Sequence, residues 1–142
     1  MNHKNNEMIV VMFIVMLLSG LLSTMNIWVD SIYDIRLSFN DIYMVLLMTG
    51  WMFLFMGIYY VDIRQIIGGL LLVIVILICI RTQFLISEKQ YITSMIPHHS
   101  MAVLMSKKLL KNNNKLSVET YEFVNNIINT QEQEINFMKQ NY

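Results

Sequence analysis

The chain has 142 residues, of which 56% are hydrophobic and 14% charged, and its ten basic and ten acidic residues balance to zero net charge. Soluble domains run nearer about 45–50% apolar and about 25% charged, so this composition excludes an ordinary soluble domain. The lack of a basic excess removes the electrostatic footprint of a nucleic-acid binder, and the single cysteine, Cys79, leaves no internal disulfide and no cysteine-based zinc or iron–sulfur site.

The apolar residues are concentrated before Ile86 and most of the charge follows it. Residues 8–25 form a first uncharged apolar run and residues 42–61 a second. Each is long enough to cross a hydrocarbon core of about 30 Å at about 1.5 Å per residue. A third run starts at Ile66 and is bracketed by Arg64 and Arg81. It spans the core over 66–86 if the Arg81 side chain snorkels to the interface. Trp28, Tyr43, Tyr59 and Tyr60 fall near the ends of these runs, where amphipathic rings are favoured. Ser19, Gly20, Ser23 and Thr24 resemble the small residues of a signal-peptide cleavage region, but the length of the first run and the two spans after it favour a retained helix.

Three spans place the N-terminus and the turn near Asp62 on one side, with Lys4 and Arg64. The loop from Trp28 to Asp41 and the C-terminal segment share the other side. Arg36, Arg81 and Lys89 oppose that bias, so charge alone does not set the orientation.

Residues 87–142 read as a polar helical hairpin. Ser87 and Gln90 have capping-box spacing before a first helix from about Glu88 to Leu110. Pro97 lies inside that helix and predicts a kink near His98. Lys111 to Lys115 is a turn-prone polar stretch, and Ser117 caps a second helix ending near Gln140. The apolar stripe of the second helix is Val124, Ile127 or Ile128, Ile135 and Met138, interrupted by Gln131 and flanked by Glu134. On the first helix, Met95, His98, His99, Ala102, Met105 and Leu109 fan across one predicted face, with Met101 at its edge. Two helices bury little apolar surface. The hairpin therefore calls for a second copy, the membrane part or a metal to complete it.

The set Met95, His98, His99 and Met105, with Gln131, Glu134 and Met138 opposite, mixes soft thioethers with borderline imidazoles. Thioether and imidazole donors suit Cu(I). Zinc gains nothing from methionine, and the repeated Glu-x-x-His of a di-iron bundle is absent. The alternative is structural: methionines as core filler and histidines paired to polar neighbours or facing water.

The segment Tyr91-Ile-Thr-Ser-Met-Ile-Pro-His-His-Ser-Met-Ala-Val-Leu-Met-Ser-Lys107 and the later Ile127-Ile-Asn-Thr-Gln-Glu-Gln-Glu-Ile-Asn-Phe-Met138 resemble the family called domain of unknown function 305. The resemblance covers about Arg81 to Tyr142. It extends to a bacterial subgroup in which three membrane helices precede the domain. It implies a ferritin-like helical fold and, from some members, copper binding outside the cytoplasm. The family motifs fall on Met95, Pro97, His98, His99, Gln131, Glu134 and Met138, with Met101 and Met105 adjoining them. Asn112 to Ser117 stands where many members carry an acidic turn, a departure that touches the loop more than the site.

The resulting expectation is an all-α protein. Residues 1–86 form a membrane domain with spans at 8–25, 42–61 and 66–86. Residues 87–142 form an antiparallel two-helix hairpin, a ferritin-like half bundle that dimerisation would complete. The expected cofactor is a copper ion held by His98, His99, Met95, Met105, Met138 and Glu134, with Met101 and Gln131 near. The expected role is copper binding, buffering or delivery at a bacterial cytoplasmic membrane with the hairpin extracytoplasmic. Its partners would be lipid, a second copy and copper-handling proteins, with no nucleic acid and no catalytic turnover. The rival from another class is a metal-free membrane assembly protein; a redox or hydrolytic metalloenzyme lacks a second catalytic group in the sequence. A weaker expectation is a thioether ladder for Cu(I), from Met8, Met12 and Met16 on one helix and Met44, Met48, Met52 and Met56 on the next.

Overall fold

The computed structural model describes the backbone of residues 2–112 and 115–142 and the side chains from residue 7 onward. Asn113 and Asn114, the centre of the predicted turn, and the Lys4 side chain lie outside the described residues. The fold is all-α. Helix α1 runs Asn2–Leu22, α2 Phe39–Tyr60, α3 Ile63–Thr82, α4 Glu88–Asn112 and α5 Val118–Asn141. Two short 3-10 turns, Met25–Trp28 and Ile32–Asp34, lie between α1 and α2.

The contacts group the chain into two compact units. One holds α1, α2 and α3; the other is discontinuous and consists of Met25–Ser38 and Ser87–Tyr142. Three segments are long and apolar enough to cross a membrane: Glu7–Trp28, Phe39–Tyr60 and Ile63–Thr82. At most 28% of any of them is buried within the protein, so most of their apolar surface faces outward, as a lipid solvent requires. The third span ends at Thr82, not at residue 86. Gln83 takes a left-handed conformation (φ 50°), and the Gln83 and Phe84 amides return to the carbonyls of Ile80 and Cys79. That is a Schellman stop.

Helices α2 and α3 approach through glycine. A Cβ on Gly69 would lie 2.5 Å from the Leu54 amide nitrogen, and one on Gly57 would lie 2.6 Å from that of Ile66. Association in a bilayer has no hydrophobic drive between helices, so close backbone packing of this kind supplies much of it. Gly68, the neighbour of Gly69, meets nothing within 4 Å. Tyr43 ties the start of α2 to the end of α3 by donating its hydroxyl proton to the Phe84 carbonyl. The α2–α3 turn repeats the Schellman pattern, with the Val61 and Asp62 amides bonded to the carbonyls of Ile58 and Gly57. A β-branched residue, Val61, occupies the left-handed position at φ 55°. Asp62 caps α3 by accepting from the Arg64 amide at 2.9 Å.

In the second unit, α4 and α5 pack as the expected hairpin, with Ser87 accepting from the Gln90 amide and Ser117 from the Thr120 amide. Helix α4 continues through Pro97 without a break. The apolar core is small: Ile96, Val103, Ile135 and Met138, with Ile92 and Met95 packed against it. The inward face of α4 differs from the one expected. Ile96, Ser100 and Val103 are buried, whereas Leu109 is exposed and Met105 is 57% exposed. The physical reason is the Met25–Ser38 segment, which also packs on α4 and gives that helix a second covered side. The two pieces of this unit are separated along the chain by α2 and α3.

Candidate functional site

The second unit carries two polar constellations. The first follows from the signature on α4. Residues 98 and 99 are about 100° apart on the helix, so their rings diverge, with centroids 6.2 Å apart and planes 60° apart. His98 is exposed, and its Nδ1 lies 3.5 Å from the sulfur of Met25. His99 turns toward α5, where its Nδ1 lies 3.0 Å from Glu134 Oε2. That contact is close but too poorly aligned to count as a hydrogen bond, so the buried nitrogen is left without a full partner. Burial lowers the His99 pKa below its ordinary 6.5, with His98 adding to the fall and Glu134 opposing it. The neutral imidazole, which is the form able to ligate a metal, is thereby favoured.

The other expected ligands separate. Met138 is buried in the core with Ile96, Val103 and Ile135, and Met95 packs against the same cluster. Met105 points to the exterior, while Met101 and Gln131 are half-buried. Among the described residues, no group of three or more His, Cys, Asp or Glu side chains is placed to hold a metal. The arrangement therefore brings together His99 with Glu134 and His98 with Met25. It does not gather all eight expected residues at one point. Met25 was absent from the sequence reading because it lies 73 residues from His98 and ends an apolar run that reads as membrane.

The second constellation was likewise missed. Asp34, only 4% exposed, is paired with Lys139 and accepts a 2.6 Å hydrogen bond from the Ser100 hydroxyl. Ser100, with no exposed surface, also accepts from the Asp30 amide at 2.8 Å. Lys107 bridges Asp30 Oδ2 at 2.7 Å and Glu132 Oε1 at 2.8 Å. Those two hydrogen bonds, Asp30 first, raise the Lys107 pKa above its ordinary 10.5. The segment is also braced internally. The Arg36 amide donates to Asn26 Oδ1 at 2.8 Å, and the Arg36 guanidinium donates to the carbonyls of Tyr33 and Ile35. One clue existed in the sequence: Asp30 and Asp34 are one helical turn's spacing apart, in a loop whose charges had no assigned partner.

Three helices long and apolar enough to span a bilayer, followed by a helical hairpin closed by the first inter-span loop, suggest a multi-pass membrane protein. The chain belongs to one family with "Uncharacterized protein L153" of Acanthamoeba polyphaga mimivirus. The two are 44% identical over 139 residues, covering 94% of this chain and 90% of the relative. Residues 82–142 match the family model described as "Domain of unknown function (DUF305)", in agreement with the resemblance read from the motifs. The relative is a viral protein and not one of the bacterial subgroup that those motifs resemble. No solved structure matches the chain.

Proposed function

We propose that this protein is a membrane-anchored binder of a soft metal ion, Cu(I) first. His98 and Met25 form the primary donor pair, and His99 is held beside them by Glu134. The observation that carries this reading is the 3.5 Å approach of His98 Nδ1 to the Met25 sulfur. An imidazole nitrogen gains little from a neutral thioether as a hydrogen-bond acceptor, whereas a cation accepting both donors suits Cu(I). The Glu134 carboxylate lies 3.0 Å from His99 Nδ1, close enough that a small ring rotation on metal binding makes the N–H···O bond by which carboxylates support ligating histidines. Met101 and Met105, on the same helix, are further thioethers for a shared or exchanging ion.

The role is binding, buffering or delivery, with no reaction assigned. The hairpin lies on the extracytoplasmic side in this reading, where a copper-handling partner would meet it. A second copy of the chain completes the bundle: Phe123 and Phe137 are exposed on α5, and their spacing of about four turns places them on nearly one face.

The test is a Cu(I) titration of the full-length protein in detergent against a Met25→Leu/His98→Ala variant. Saturable binding that falls by one equivalent in the variant supports the reading. Equal binding in both refutes the assigned pair, and no binding in either favours the metal-free assembly role.

A further inference from the structure

We propose that the Met25–Ser38 segment is an interfacial anchor, with its apolar side seated among lipid headgroups and upper acyl chains while its polar side clamps the hairpin. The inference rests on the reading of Glu7–Trp28 and Phe39–Tyr60 as membrane spans and does not depend on the metal pair.

The segment reverses the usual distribution of side chains in a surface loop. A loop in water turns its carboxylates outward and covers its large apolar residues. Here Asp34 is buried against Ser100 and Lys139, and Asp30 is engaged by Ser100 through its amide and by Lys107 through its carboxylate. Ile27, Trp28, Ile32, Tyr33, Ile35 and Leu37 are instead left exposed, Ile32 at 74% and Tyr33 at 75%. So many exposed apolar and aromatic side chains on so short a segment mark an interaction surface.

Chain continuity identifies what covers it. The candidate span Glu7–Trp28 ends inside the segment, and Phe39–Tyr60 begins at the residue after it. Both ends are therefore tied to a membrane boundary. The residue types match that boundary. Trp28 and Tyr33 carry amphipathic rings of the kind favoured at the interface, and Ile32 and Leu37 supply the apolar side of an interfacial segment. The backbone is partly satisfied from within: the Asp34 and Ile35 amides return to the carbonyls of Ser31 and Ile32, and Arg36 donates to those of Tyr33 and Ile35. Such pairing lowers the cost of bringing non-helical backbone near hydrocarbon. Charge agrees as well. Lys107 and Lys139 neutralise the two acids, which leaves Arg36 as the segment's charge with no carboxylate partner among the described residues, and a guanidinium suits lipid phosphate. A second copy of the chain is the competing cover, and the test separates the two.

The test is fluorescence quenching in phosphatidylcholine proteoliposomes, using lipids brominated either close to the headgroup or close to the chain end, with acrylamide as the aqueous quencher. The full-length protein carries Trp28→Phe and Trp51→Phe, which remove both native tryptophans. A single reporter is then introduced as Ile32→Trp or Leu37→Trp, at positions exposed enough to accept it. Each reporter should lose most of its emission to the shallow label and little to the deep one, and should be protected from acrylamide. Stronger quenching by the deep label, or open access to acrylamide without lipid quenching, overturns the anchor. Protection from acrylamide without lipid quenching also overturns it, in favour of a protein contact. The Trp28→Phe variant, which keeps Trp51 midway along α2, reports on the spans and should be quenched by the deep label. Quenching of Trp51 with an aqueous reporter at position 32 sinks this proposal alone, whereas an unquenched Trp51 sinks the membrane reading with it.

Discussion

Replacing Asp34 with alanine tests whether the Met25–Ser38 segment is locked to the hairpin by chemistry or merely lies beside it. The substitution removes the acceptor of a 2.6 Å hydrogen bond from a fully buried hydroxyl. Hydrogen bonds to a charged group contribute about 1.5–3 kcal/mol. It also breaks the pair with Lys139. The cost of about 3–5 kcal/mol for stranding a buried charge does not apply in full, because the Lys139 side chain is 30% exposed and can turn to water. The expected loss is about 2 kcal/mol of docking free energy, a factor of about 30 in the docked population. The Asp30 amide is the local reporter, since its acceptor is Ser100 Oγ. Its hydrogen exchange, followed by NMR in detergent, should accelerate by about that factor, while amides in the middle of α3 should not change. In a double-mutant cycle with Ser100→Ala, the two losses should overlap by about 1–2 kcal/mol, because both remove the same bond. An Asp30 exchange rate altered less than threefold, or strictly additive losses, would refute the argument.

Val61→Gly should stabilise the membrane unit by about 1 kcal/mol, because a β-branched residue pays to occupy the left-handed region and Val61 packs little; thermal unfolding in detergent reads the gain. Gly69→Leu should disrupt α2–α3 packing severely, since its side chain would enter the Leu54 backbone, whereas Gly68→Ala should be tolerated; the contrast in folded yield after detergent extraction is the measurement. Lys107 has a folded pKa above its ordinary 10.5. Its contribution is therefore fully present below that value and is lost as pH rises through the folded pKa. Stability curves should fall on the alkaline side in the native protein and flatten there in Lys107→Met, by a small amount because the side chain is 43% exposed.

The elements that depend on local pattern were legible. Apolar runs gave the three spans, and Ser117 gave the start of α5 to the residue. The third span was drawn to end four residues late because Gln83 and Leu85 adopt left-handed conformations, which their side chains do not announce. The α4 face was misassigned for a nonlocal reason. Periodicity asks which side of a helix is apolar, and α4 is covered on two sides. One of these is covered by a loop joined through Ser100 and Asp34, whose buried contact is polar and leaves no hydrophobic stripe. Of the candidate site, His99 and Glu134 were found in sequence because both lie in the hairpin, while Met25 was hidden by its distance along the chain. Met95 and Met138 pack in the core of a small bundle, a placement that their residue type equally permits.

The discontinuous second unit also imposes an order on biogenesis. The Met25–Ser38 segment is synthesised well before α4, and its link from Asp34 to Ser100 spans 66 residues. Until the chain is nearly complete, Asp34 lacks Lys139 to pair with. Closing so long a loop from a random coil would be entropically unfavourable. Here most of the intervening chain is the α2–α3 pair joined by the tight Val61–Asp62 turn, so packing of α2 against α3 itself turns the chain back and shortens the gap to be closed. Assembly of the discontinuous unit therefore leans on the pairing of α2 with α3, and a nascent chain that fails to pair them must close the full loop from Asp34 to Ser100 as coil.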